Sequence, residues 1–328
     1  MVLSSDAMDS IFFEINPLQE DFEQCAKLAY ETENWKATKH DYAYLRKAFP
    51  GNFIMHVAKR KDTKEVIGFC TLATQRTFNN EEINLFGWFL VHPACRGLKI
   101  GAKLYQLALE PKFREKKNVC LHSVLDMTQF YEDRGFKFRS KAPHINFDFS
   151  PRDVDFTRLE KLLENQKTEL AKNGLKITEV DEVSDGVLNE FDRSVLPIDR
   201  SAYTPVWLRR ADVFTRVCVD SKEKVVGYAC LKVVSGGRLI TSPVFARNKD
   251  IAFGLLLSVI HTVPNVRDFA QIMCRANGEN LAMEDMVNQI SNEKYEKAPV
   301  LQTMFTEMPL KPNMTQIFGV SSTGCVCI

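Results

Sequence analysis

Apolar and polar positions along this chain follow two periods, and their succession predicts a definite order of elements. Ile11–Ile15 alternates as a short strand. Behind Pro17, residues Leu18, Phe22, Cys25, Ala26, Leu28 and Ala29 recur at helical spacing, so a helix is expected there. Residues 53–59 and 65–74 read as strands joined by the charged turn 61–64, a candidate hairpin. Glu82–Val91 is apolar enough for a central strand, which His92-Pro93 stops. A helix over 98–109 closed by Pro111, a strand over 119–124, a short helix over 128–134 ended by Gly135, and a returning strand or hairpin arm over 136–149 complete this half. Antiparallel neighbours mixed with helical crossovers predict an α/β fold (α+β, mixed sheet).

Pro151 and the charged stretch after it read as a linker with one amphipathic helix, its stripe being Leu159, Leu162, Leu163 and Leu170 and its stop Asn173-Gly174. The pattern then restarts. Val66-Ile67-Gly68-Phe69-Cys70 has a counterpart in Val225-Val226-Gly227-Tyr228-Ala229-Cys230, about one domain length later, and both follow a charged turn. A strand ending near Val244-Phe245 and an apolar helix over 251–260 also repeat elements of the first half. Three segments are expected: a first domain at 1–150, a linker helix at 151–175, and a second, similar domain at 176–328.

Composition narrows the class. Hydrophobic residues at 45% and charged residues at 26% are those of a soluble globular protein. Lys and Arg (43) nearly balance Asp and Glu (42), which gives no reason to expect a nucleic acid partner. Nine cysteines without a CxxC read as reduced, buried thiols of a cytoplasmic protein, with no metal cluster. Residues 1–10 lack a signal-peptide pattern, and no apolar stretch has the roughly 20 residues that span a bilayer.

The chemistry concentrates at Val91-His92-Pro93-Ala94-Cys95-Arg96-Gly97-Leu98-Lys99-Ile100-Gly101-Ala102. A strand ends and a helix begins at once. The first amides of a helix have no internal partners and sit at the positive end of its dipole, which makes an anion site suited to a pyrophosphate. Gly97 and Gly101 would let the backbone approach the phosphates, and Arg96, Lys99 and Lys103 add positive charge. An ordinary strand–turn–helix junction with incidental basic residues accounts for the same spacing. A second signal is Phe130-Tyr131-Glu132-Asp133-Arg134-Gly135-Phe136, a tyrosine on a short helix before a glycine–aromatic pair, which core packing would also explain.

Together and in this order, these segments resemble the GNAT acetyltransferase superfamily. Its signature joins a strand ending in Val-x-Pro to an Arg/Gln-x-x-Gly-x-Gly/Ala loop, with a later Tyr-x-x-x-Gly-Phe. Here Val91, Pro93, Arg96, Gly101 and Ala102, then Tyr131, Gly135 and Phe136, fill those places. Lys99 replaces the middle glycine, tolerable if its backbone stays helical. The resemblance covers residues 11–148. It implies two tandem GNAT-like domains, each a mostly antiparallel twisted sheet flanked by helices, the second an accessory domain. That second half lacks the glycine loop: Val244-Phe245-Ala246-Arg247-Asn248-Lys249-Asp250 leads straight into its helix.

The resemblance also implies acetyl-CoA as cosubstrate, held by Leu90, Val91, Arg96, Gly97, Leu98, Lys99, Gly101 and Ala102, and direct attack by an amine in a ternary complex. The pantetheine arm would lie beside the end of Glu82–Val91 as an added strand, with a main-chain N–H near Leu90 or Val91 on the acetyl carbonyl. Tyr131 matches the acid that protonates the departing sulfur. His122 is the candidate base, with Glu82 and Asp126 as rivals and His92 a less apt one. Cys95 and Cys120 have no evident His-and-acid set for nucleophilic catalysis.

In the second half, Asp192-Arg193, Asp199-Arg200, Tyr203, Pro205 and Trp207 would line a pocket between the domains, or else form a capped helix with a core Trp207. Cys325-Val326-Cys327-Ile328 has the outline of a prenylation box without a polybasic neighbour, and the alternation over 317–328 fits a closing strand better, so no membrane partner is expected. A covered acceptor site would favour a small molecule. The rival reading is a non-catalytic acyl-CoA-binding or interaction protein.

Overall fold

The computed structural model describes residues 6–320. In chain order the first half contains α1 (Asp6–Asp9), β1 (Ile11–Ile15), α2 (Gln19–Glu33), α3 (Asp41–Ala48), β2 (Phe53–Arg60), β3 (Val66–Arg76), β4 (Glu82–Val91), α4 (Ile100–Arg114), β5 (Asn118–Val124), α5 (Thr128–Glu132), β6 (Phe138–Arg139) and β7 (His144–Phe149). The second contains α6 (Phe156–Lys172), β8 (Lys176–Glu179), α7 (Asp185–Val195), α8 (Tyr203–Leu208), β9 (Val213–Val219), β10 (Val225–Val234), β11 (Arg238–Ala246), α9 (Lys249–Thr262), β12 (Gln271–Asn277), α10 (Ala282–Ser291), β13 (Glu296–Phe305) and β14 (Ile317–Gly319).

These strands form one 14-stranded sheet in the order β1-β2-β3-β4-β5-β13-β7-β12-β11-β10-β9-β8, with β6 on β13 and β14 on β11. Among the described residues only β4–β5 and β11–β12 pair parallel. The halves interleave: β13 lies between β5 and β7, while β7 pairs with β12. One core fills the face covered by α2, α3, α7 and α8, and it runs from Phe22 and Phe69 of the first half to Tyr228 and Phe245 of the second. The opposite face carries two cores, one under α4 and α5 and one under α6, α9 and α10.

The internal repeat is a repeat of backbone geometry. Ile67 and Val226 are each the extra residue of a β-bulge just before Gly68 and Gly227. The Ile67 carbonyl accepts from the His92 N–H at 2.8 Å, and the Val226 carbonyl accepts from the Arg247 N–H at 2.8 Å. Backbone approaches closely at both places, most tightly at Gly227. A Cβ on Gly227 would meet the Phe245 carbonyl oxygen at 2.9 Å, and one on Gly68 the Leu90 carbonyl oxygen at 3.2 Å.

The structure departs from expectation in several places. The segment over 41–48, to which no element was assigned, is α3, whose Tyr42 and Leu45 enter the shared core. Helix α4 starts at Ile100 and runs past Pro111 to Arg114, although the proline forfeits one i→i−4 hydrogen bond there. Of the paired charges of the second half, Asp192 and Arg200 are buried in the core. Asp192 and Arg200 form a buried pair joined by the Tyr228 hydroxyl, and Trp207 donates to the Ser242 carbonyl from within the core. Asp41 of α3 accepts from Lys232 of β10 at 2.6 and 2.8 Å and from Arg210 at 2.6 Å, a buried ionic clamp between the halves.

Cys25, Cys70, Cys95, Cys218, Cys230 and Cys274 are buried free thiols. No helix among the described residues is long and apolar enough to cross a membrane. The prenylation box at 325–328 and the later part of the expected closing strand lie outside the described residues.

Candidate active site

Strands β4 and β5 pair only at Ile83–Asn118, Asn84–Val119 and Leu85–Cys120, and then they part. The split is forced on β4 by a bulge: Phe69 faces Leu90 but Thr71 faces Gly87, and Trp88 between them sits at φ 50. A bulky residue in the left-handed region is strained, and such strain is held in place by surrounding structure. Trp88 is held by stacking on Phe22 at 5.4 Å.

The parted strands open a cleft of about 850 Å³. Its wall takes Leu90 and Val91 from β4, Arg96, Gly97, Lys99, Gly101 and Ala102 from the loop and α4, His122 from β5, and Tyr131 from α5. Sequence positions far apart are thus brought to one site. Leu98 is the exception, packing against the core beneath α4.

The mouth of the cleft is the start of α4. Lys99 precedes it at φ 61, ψ 8, and no side chain caps the helix. Its first amides therefore keep their capacity for an anion, as a diphosphate requires. The condition that would make Lys99 tolerable in place of the glycine, a helical backbone, is not met: Lys99 is left-handed, which explains why glycine suits this place and puts roughly 1–2 kcal/mol of strain on the lysine. Gly101 has a packing reason as well: a Cβ there would lie 3.3 Å from Phe89 and 3.4 Å from Val91. Arg96 points at the Val91 carbonyl (3.3 Å) and is paired with Glu33 of α2 at 2.7 Å, a partner that no local pattern announces.

The candidates for proton transfer separate by environment. Tyr131 is buried beneath the cleft, and burial pushes its phenol well above the ordinary range, so it stays protonated. Tyr105 of α4 also lines the cleft; burial raises it to about 12, and its hydroxyl has no partner within the protein. Burial alone would raise the Glu82 carboxyl, but Lys112 at 2.7 Å and Asn84 hold it below the usual range. It stands outside the cleft wall, unsuited to a base. His92 Nδ1 accepts from the Ala94 N–H and shapes the turn. His122 Nδ1 lies 2.9 Å from the Thr303 hydroxyl, and Asp126 lies further along the same wall.

The equivalent place in the second half is closed. Beyond Ile240–Met273, β11 and β12 also part, but β14 enters the gap and pairs Val244 with Gly319 and Phe245 with Ile317. The start of α9 is capped by Asn248, whose side chain accepts from the Ile251 N–H, with Asp250 in the same turn.

Parted parallel strands beside the start of a helix, once open and uncapped and once filled and capped, define an acyltransferase-type fold duplicated in one chain. Acetyltransferase (GNAT) domain models match residues 51–138 and 188–319. The chain belongs to the GNAT acetyltransferase superfamily in its tandem form. A Pyrococcus horikoshii structure described as a candidate acetyltransferase is similar at TM-score 0.67 and 13% identity, covering 96% of each chain. A tandem GNAT protein from the clavulanic acid biosynthesis pathway is similar at TM-score 0.57 and 15% identity, covering 90% of this chain and 99% of that one. A GCN5-related N-acetyltransferase from Sphaerobacter thermophilus gives TM-score 0.55 and 12% identity, covering 96% and 99%. No curated protein sequence matches the chain.

Proposed function

We propose that the first half transfers an acetyl group from acetyl-CoA to the amine of a small molecule, by direct attack in a ternary complex. The observation that carries this reading is the β4–β5 cleft with the uncapped start of α4 at its mouth. The α4 amides, Arg96 and Lys99 would hold the diphosphate, Arg96 after exchanging Glu33 for it. The Phe89–Val91 edge would take the pantetheine amides as an added strand. The second half supports this from within the same chain, since β14 occupies that place against Val244 and Phe245.

His122 is the group on the cleft wall fitted to take the proton of the ammonium, and Tyr131 the one fitted to donate to the departing sulfur. A backbone N–H near Leu90 or Val91 would stabilise the oxyanion. The second half lies beside the site, β13 pairing with β5, and the acceptor in this reading is a small molecule and not a protein tail. The six buried free thiols favour the reducing cytoplasm.

Mixing the protein with acetyl-CoA and a panel of amines should release free thiol. Saturable acetyl-CoA binding without thiol release would favour a non-catalytic binder, a reading that the strained Lys99 and the engaged Arg96 support.

A further inference from the structure

The cleft has two sides, because alternation along a strand sends neighbouring residues to opposite faces of the sheet. Phe86, Phe89, Tyr105 and Tyr131 belong to the core under α4. Trp88 and Leu90 pack on the core under α2. Cys120 of β5 does so too, and alternation then turns His122 and Val124 to the same side. With the diphosphate at the start of α4 and Tyr131 at the departing sulfur, the donor occupies the α4 side. An amine that gives its proton to His122 lies on the α2 side.

Helix α2 shapes that side with rings and a carboxylate. It ends in a left-handed Asn34, and the N–H groups of Asn34 and Trp35 return to the Tyr30 and Ala29 carbonyls at 3.0 and 3.1 Å. This tight stop sets Glu33 and Trp35 on either side of a turn, and both line the cleft. The second half pins the turn: Arg238 donates to Asn34 Oδ1 at 2.9 Å, and the Ser235 hydroxyl donates to the Ala37 carbonyl. Phe22 of α2 stacks on Tyr42 at 5.1 Å and on Trp88 at 5.4 Å, which fixes the strained Trp88 at the cleft wall.

We propose that the acceptor amine is carried on a flat apolar body and bears no anionic group. Trp35 and Trp88 take the body, and Glu33 attracts the positive charge. Glu33 now holds Arg96 at 2.7 Å. Passing Arg96 to the diphosphate leaves this carboxylate on a wall that it shares with two indoles. Ring faces and a carboxylate both attract a cation and repel an anion. Asp126 adds a second carboxylate to the wall. Of the basic groups there, Lys99 stands at the start of α4, and Arg134 is stacked over Phe130 at 3.6 Å beyond α5. Among the described residues, the α2 side of the wall thus offers no lysine or arginine to an acceptor's carboxylate or phosphate once Arg96 is engaged.

The proposal rests on the acyl-transfer reading for the place of the donor, so its test measures binding apart from turnover. Isothermal titration of amines into the CoA-loaded protein involves no acetyl group. Phenethylamine should bind at least about tenfold more tightly than ethanolamine, which lacks the ring, and than phenylalanine, which adds a carboxylate. Glu33→Gln should weaken phenethylamine about 5- to 10-fold and leave the acetyl-CoA Kd unchanged or tighter, because Arg96 loses its competitor. A purely structural bridge would not set the two affinities apart in this way. Trp35→Leu should weaken phenethylamine about 5- to 20-fold, and Trp35→Phe should recover most of the loss. The Glu33 side chain is 38% exposed, so the glutamine protein folds even where a Trp35 variant does not.

Ethanolamine or phenylalanine binding as tightly as phenethylamine overturns the proposal. So does a phenethylamine affinity that neither Glu33→Gln nor Trp35→Leu changes. Phenethylamine that binds as expected while acetyl-CoA releases no thiol defeats the acyl-transfer reading alone. Thiol release with ethanolamine and none with phenethylamine defeats the proposal and leaves that reading standing.

Discussion

Phe245 pairs with Ile317 across an antiparallel ladder, at the strand position that Leu90 occupies beside the open cleft of the first half. One half keeps the gap between its parted strands, and the other fills it with its own chain. Isothermal titration should therefore give one acetyl-CoA per chain. Two equivalent sites would show that β14 leaves the second cleft on ligand binding.

Ala102 is exposed in the first turn of α4. Ala102→Glu adds a carboxylate that favours the helix dipole but opposes a diphosphate. Melting temperature should hold or rise slightly, while the acetyl-CoA Kd weakens about tenfold or more. Undiminished affinity would remove the diphosphate from this helix end.

Tyr131→Phe keeps the ring contacts with Phe130 and Phe136 and deletes only the hydroxyl. Steady-state thiol release should drop about 10- to 100-fold, with the acetyl-CoA Kd nearly unchanged. A wild-type rate takes Tyr131 out of the mechanism.

Asp41 tests the clamp between the halves. Burial opposes its charge, but Lys232 and Arg210 hold its carboxyl below the usual range. Asp41→Ala leaves two buried cations without it and should cost about 3–5 kcal/mol in urea unfolding. A loss under about 1 kcal/mol would mean that Asp212 alone suffices for Arg210, to which it is bonded at 2.7 Å.

Asp148 gives a pH dependence of opposite sign to the usual carboxylate. Burial pushes it from 3.8 to about 6, against the pull of Arg275, Lys36 and Arg238 and with Glu296 adding to the rise. The fold thus favours the neutral acid. Its contribution is fully present below pH 3.8 and is lost as pH rises through about 6. Asp148→Asn should flatten unfolding free energy between those values relative to wild type; an equally steep slope would assign it to other groups.

Much of this was legible along the chain because it depends on near neighbours. The near-continuous apolar runs of β2, β3 and β4 reflect burial on both faces of the sheet, and the helical stripe of α6 reflects which of its faces is buried. The same holds for the junction from Val91 to α4, and for the lack of glycine before α9. The repeat of Gly68 in Gly227 was visible as well, since a bulge leaves its mark in a few adjacent residues.

Other features were decided by residues remote in sequence. Lys99 adopts φ 61 because the loop must turn there, although a lysine by itself disfavours it. The charges at Asp192 and Arg200 read as a pocket lining or as a capped helix and solvated loop, and only the arrival of Tyr228 makes them a buried pair. Thr303 meets His122 because β13 crosses from one half to lie between β5 and β7 of the other. Local periodicity fixes which side of a strand is apolar; it carries no information on which strand will lie alongside, and that pairing brings the second half to the cleft.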